Sequence, residues 1–168
     1  MIQLFTELQE KKNVRSNLSA LRASLKEATE EQKAQAIEFV RGHEDLVFGF
    51  LQEEDAKTRK NAALLLGDLA VQNALQPLWK AYTREQTLFV KSAYLEAMKA
   101  LHAEEILSQL KDRLAELEGE PVTEENRKHR EAELRALRAI LIQYEGIDTH
   151  HFDIKQKNNH VLLVTNRN

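Results

Sequence analysis

Apolar residues recur along this chain at helical spacing, in short segments separated by polar breaks. Ile2, Leu4, Phe5 and Leu8 predict a short first helix, and Val14, Leu18, Leu21 and Leu25 form one apolar stripe of a second. Thr29 followed by two glutamates reads as a helix start, with Ala34, Ile37 and Val40 as its buried side and Gly42 as its end. A compact apolar helix is expected from Asp45 to Gln52. The polar turn Glu53, Glu54 and Asp55 leads from it into a helix over Lys57–Val71 with Ala62, Ala63, Leu66 and Leu69 inward. Helices then follow over Leu75–Tyr82 and Leu88–Leu101, and another is marked by Ile106, Leu107, Leu110, Leu114 and Leu117. Gly119 and Pro121 interrupt the chain before a long helix from Thr123 to Tyr144, whose seam is Leu134, Leu137, Leu141 and Tyr144.

The helices come in short pairs, and the pairs repeat. A shift of 32 residues lays Leu46 on Leu78, Phe50 on Tyr82, Glu53 on Glu85 and Arg59 on Lys91. The same shift lays Leu75 on Leu107, Leu78 on Leu110 and Tyr82 on Leu114. Apolar falls on apolar, acid on acid and base on base, as expected when each pair buries its apolar face against the next.

Pro77, Glu85 and Lys91 stand as a proline inside a first helix, an acid eight positions later and a base six further on. Glu53 and Arg59 repeat the acid and base one unit earlier, where Asp45 replaces the proline. With the stretch from Thr58 to Leu69, whose small residues Ala62, Ala63 and Gly67 allow close helix approach, this pattern resembles the HEAT-repeat family. The resemblance covers residues 45–101 best and extends to 144, with Leu117 and Thr123 at the ladder positions there. It implies an all-α, right-handed superhelix of helical hairpins in which acid and base link successive inter-helix turns. It also implies that second helices line a concave surface presented to a macromolecule. Residues 1–146 are therefore expected to form a HEAT-like domain, with 1–44 as a cap or degenerate repeat.

After Ile147 the pattern changes to His-Phe-Asp-Ile, a polar run and Val161–Thr165, which predicts a short β segment. A lone hairpin is marginal in water. Residues 147–168 are thus expected to be a linker and the first strands of a following domain cut short.

Composition narrows the function classes. The absence of cysteine excludes disulfides and thiolate chemistry, and only five glycines are present, with no phosphate-binding glycine loop among them. No apolar run approaches a membrane span, and the expected setting is the cytoplasm without a membrane partner. His150, His151 and His160 lack carboxylates at metal-ligand spacing and read as a polar loop, while His129 and Glu133 read as a surface pair. Ser16, Ser19, Ser24, Ser92 and Ser108 all fall within helices. The expectation is no catalytic residue, no metal, no cofactor and no small-molecule substrate.

The formal net charge of −3 conceals an uneven distribution. Residues 1–56 carry seven basic and eleven acidic side chains, 57–102 seven and three, 103–125 two and eight, and 126–168 eight and five. The basic blocks fall on second helices, so Lys57, Lys60, Lys99, Arg127, Arg130, Arg135 and Arg138 are the candidate basic concave strip. Trp79 and Tyr82, one turn apart, read as core. The expected function is a non-catalytic recognition or scaffolding module that binds a protein partner. The alternative is a nucleic-acid-binding N-terminal accessory domain of a larger RNA- or DNA-modifying enzyme, to which the basic strip would bring phosphate contacts.

Overall fold

A computed structural model describes residues 1–145. The chain divides into two compact units, residues 1–102 and from Ala103 onward. Every regular element among the described residues is helical. The β segment expected after Ile147 and the histidines at 150, 151 and 160 lie outside them.

The first unit comprises α1 (Ile2–Gln9), α2 (Val14–Leu25), α3 (Glu30–Gly42), α4 (Glu44–Gly49), α5 (Ala56–Asp68), α6 (Leu75–Arg84) and α7 (Leu88–Ala100). Single 3-10 turns at Phe50–Gln52 and Gln72–Ala74 extend α4 and precede α6. The most extensive packing joins α5 to α7, and the next joins α2 to α5. The second helices of α1/α2, α4/α5 and α6/α7 therefore stack side by side, an arrangement compatible with a helical repeat. Gly67 makes the α5–α7 contact possible: a Cβ there would lie 3.0 Å from the Ala97 Cα and 3.3 Å from its Cβ. Leu18, Leu21, Leu65, Leu66, Leu78, Tyr94, Leu95 and Met98 are buried along this layer. Pro77 sits in the first turn of α6, where its missing N–H has no intrahelical partner to lose.

Four helix boundaries or faces differ from the sequence expectation, two of them in the first unit. On α3, Ala34 is exposed, and Ala36, Phe39 and Val40 are buried. The Phe39 ring stacks on Phe5 at 4.5 Å, and this long-range contact sets the helix phase. The start of α3 follows the pattern: the Thr29 side chain accepts from the Gln32 N–H at 3.1 Å, and the Gln32 side chain accepts from the Thr29 N–H at 3.0 Å. Helix α5 ends at Asp68, before Val71, because Ala70 adopts a left-handed conformation with φ 51°. The Val71 N–H then returns to the Leu66 carbonyl at 3.0 Å, closing the end of α5.

The second unit contains a 3-10 turn at Glu104–Ile106, then α8 (Leu107–Gly119) and α9 (Arg127–Leu141). Ile106, Leu107, Leu110, Leu117, Leu134, Leu137 and Ile140 supply its buried side chains, with Ile140 taking the place expected of Leu141. Helix α9 begins four residues after Thr123. The delay comes from reciprocal hydrogen bonds, Thr123 N–H to Asn126 Oδ1 at 2.8 Å and Asn126 N–H to Thr123 Oγ at 3.1 Å, which hold a turn before the helix.

Candidate interaction surface

Two turns of the first unit, between α4 and α5 and between α6 and α7, meet across a buried ion pair. Arg59, in the first turns of α5, donates from Nε to Glu85 Oε1 at 2.9 Å and from Nη2 to Glu85 Oε2 at 2.8 Å. Its Nη1 donates to the carbonyls of Glu53 and Glu54, each at 2.8 Å. Glu85 also accepts from the Thr87 N–H at 3.1 Å and the Tyr94 hydroxyl at 3.3 Å. The carboxylate side chain is only 5% exposed. Burial pushes its pKa up, but the Arg59 hydrogen bonds, the Thr87 N–H, the Arg59 charge and the Tyr94 hydroxyl together hold it below the ordinary value. The Tyr94 hydroxyl is shifted upward, first by burial and then by the Glu85 charge.

The acid–base spacing in the sequence thus marks a real junction, and its partners span successive hairpins: the base of α4/α5 takes the acid of α6/α7. Glu53 contributes its backbone carbonyl, and its side chain is exposed. Lys91, the counterpart of Arg59, lies over the Tyr82 ring with its ammonium 5.9 Å from the centroid. Tyr94 is the member that sequence patterning misses, since its hydroxyl and ring look like core. Two further pairs join α2 to α5: Arg15 to Asp55 at 3.1 Å and Arg22 to Asp68 at 2.7 Å. Asp55 caps α5, and its carboxyl is held low mainly by the Thr58 hydroxyl. All three guanidinium nitrogens of Arg59 and both carboxylate oxygens of Glu85 are engaged within the junction, so it is a brace between hairpins.

The seven candidate basic residues meet different fates. Lys57 and Lys60 lie three apart near the start of α5, on one face, and Lys99 lies in the last turn of α7. Gly67 packs on Ala97 while Arg59 reaches the turn before α7, so the two helices run parallel. Lys99 is therefore separated from Lys57 by about 18 Å along the layer. None of these lysines forms an ion pair among the described residues. Phe89, 46% exposed, and Glu96 share the outer face of α7.

In the second unit, Arg127 and Arg135 are exposed on α9. Arg130 donates to the carbonyls of Leu117 and Glu118 at 3.0 and 3.3 Å, which satisfies the end of α8. Arg138 pairs with Glu118 at 2.8 Å. Arg113 donates to the buried Glu133 at 3.1 Å, which fixes α8 to α9. Half of the α9 arginines considered for binding are thus committed to closing their own hairpin.

Among the described residues, no group of three or more acidic or histidine side chains is placed to hold a metal ion, and no helix is long and apolar enough to cross a membrane. Comparisons with protein-family models, with curated proteins and with solved structures find no match.

Proposed function

We propose that this chain is a non-catalytic recognition module of HEAT type, a right-handed array of hairpins that presents its second helices to a protein partner. The observation that carries this reading is the bidentate Arg59–Glu85 pair between successive hairpins, above the parallel stack of α2, α5 and α7. The brace between these two turns holds the exposed side chains of α5 and α7 in register, so many modest contacts add with little ordering cost at binding. Lys57, Lys60, Phe89, Glu96 and Lys99 form the mixed, outward face that such a partner would meet. Its exposed aromatic among charges of both signs, three lysines and one glutamate, suits a protein surface.

The test compares partners retained by the wild-type chain with those retained by the triple variant Lys57→Glu, Lys60→Glu, Lys99→Glu, under quantitative capture at physiological salt. A defined protein lost with the variant and recovered by titration of purified components supports the reading. Equal capture by both chains overturns it. The second reading, a nucleic-acid-binding accessory domain of a larger modifying enzyme, is favoured by the excess of basic over acidic residues between 57 and 102. Anisotropy of labelled single-stranded RNA and duplex DNA on the same two proteins separates it, because binding to phosphates weakens steeply as salt rises.

A further inference from the structure

We propose that the groove between α1 and α3 receives an amphipathic helix of a protein partner whose apolar edge is flanked by lysine or arginine. This surface is separate from the second-helix face and does not depend on the reading given above. The groove is open to solvent, has a volume of about 540 Å³, and is lined by Ile2, Phe5, Gln35, Glu38, Phe39, Gly42 and His43. Its floor is a stack of three rings, with Phe5 on Phe39 and Phe39 on His43, both at 4.5 Å between centroids. The polar atoms of the floor are already satisfied. His43 Nδ1 donates to the Phe39 carbonyl at 2.8 Å, which leaves Nε2 to accept from the Gln9 amide at 2.7 Å. An occupant therefore meets an apolar floor with no unpaired donor asking for a polar group.

The lip is apolar as well, with Ile2 74% exposed. Between Gln35 and Gly42 the groove follows α3 for about 10 Å, two helical turns. That length matches apolar anchors at i, i+4 and i+7 of a docked helix. Charge decides what flanks those anchors. Glu31, Gln35, Glu38 and Gly42 recur on one stripe of α3, and both glutamates are exposed without an ion pair among the described residues. Helix α1 has no basic residue; on α3 Lys33 pairs with Glu30 on another side, and Arg41, in the last turn, lies on a neighbouring row off the stripe of Glu31, Gln35, Glu38 and Gly42. An acidic stripe beside an apolar floor favours a cationic flank over an anionic one.

The experiment uses the whole chain and two fluorescein-labelled 18-residue helical peptides. One has leucines along a single stripe flanked by lysines; the other has the same leucines flanked by glutamates. The leucine–lysine peptide is expected to bind one site at least tenfold more tightly than its glutamate counterpart. Ile2→Asp and Gly42→Leu should each weaken it at least tenfold. Neither substitution touches the core: Ile2 is exposed, and a Cβ at Gly42 has nothing within 4 Å, so the new leucine enters the groove. Glu38→Lys should reduce the preference between the two peptides at least fivefold. Unchanged binding by the Ile2→Asp and Gly42→Leu variants, with native circular dichroism, overturns the proposal, as does equal binding of both peptides. Self-association of the chain that Ile2→Asp abolishes, with no peptide binding, also overturns it and assigns the groove to a second copy.

Discussion

Removing Arg59 should destabilise the first unit more than removing the carboxylate it holds, and removing both should cost less than the two separately. Arg59→Met deletes four hydrogen bonds, two to Glu85 and one each to the carbonyls of Glu53 and Glu54. It also leaves a carboxylate 5% exposed with only the Thr87 N–H and the Tyr94 hydroxyl. An uncompensated buried charge of this kind costs about 3–5 kcal/mol. Glu85→Leu leaves Arg59, 17% exposed, with two carbonyl partners and a path to water. Its cost is expected at about 2–3 kcal/mol, at the level of charged hydrogen bonds lost. The double variant should show a coupling of about 2 kcal/mol, in the range measured for directly contacting groups. Trp79 is the single tryptophan and lies on α6, so its fluorescence during urea unfolding reports the first unit alone.

Acid adds an independent check on the same junction. In the wild type the Glu85 carboxyl is held below its ordinary value of 4.5. Its contribution is therefore fully present above that value and is lost as pH falls through the lower folded-state pKa. In Arg59→Met the carboxyl keeps its burial and loses its cation, so its pKa lies above the unfolded value and the sign reverses. That variant should gain stability relative to wild type as pH falls toward 4.5. Additive single effects, with coupling below about 0.5 kcal/mol, or a constant difference between the two proteins from neutral pH to pH 4.5, would refute the brace.

Three further substitutions test local features of the first unit by thermal unfolding. Gly67→Ala should lower Tm, because overpacking costs about 1–3 kcal/mol and outweighs the ~1 kcal/mol gain in helix propensity when the new Cβ meets the Ala97 backbone at 3.0 Å. An unchanged or raised Tm would show that α7 yields. Ala70→Gly should stabilise by about 1 kcal/mol, since Ala70 pays for a left-handed conformation that glycine adopts freely. Thr29→Ala should cost about 1 kcal/mol by removing one arm of the reciprocal cap of α3, and the loss should appear as faster amide exchange at Gln32.

Local signals in the sequence reached the helices and the brace because both are periodic. The 32-residue shift aligns Glu53 with Glu85 and Arg59 with Lys91, so ionic groups at the inter-helix turns stand out against a helical background. The direction of the bond, from Arg59 forward to Glu85, follows from the stacking of α5 on α7. Elsewhere the deciding contact is remote. Helix α3 offers apolar residues on two overlapping stripes, and the Phe5 ring selects the one containing Phe39. Ala70 carries no turn signal, yet the chain turns there to continue into α6. Tyr94 reads as core until its hydroxyl is found 3.3 Å from Glu85. The α1–α3 groove escapes sequence reading for the same reason, because its floor joins Phe5, Phe39 and His43 from two separate helices.

Charge shows the same limit and yields a prediction of its own. Counting residues treats the basic blocks of 57–102 and 126–168 alike, but the structure spends them differently. Arg130 and Arg138 are held by Leu117, Glu118 and its carboxylate, whereas Lys57, Lys60 and Lys99 form no ion pair among the described residues. If RNA or DNA binds, only uncommitted cations can release counterions on contact with phosphate. For duplex DNA each contributes about 0.9 to the slope of log affinity against log salt. Lys57→Gln with Lys60→Gln should therefore flatten that slope by about 1.8. Arg138→Gln should leave the slope unchanged while loosening α8 from α9. Equal flattening by both changes would mean that Arg138 leaves Glu118 for the phosphate, and the commitment seen in the hairpin would not survive binding.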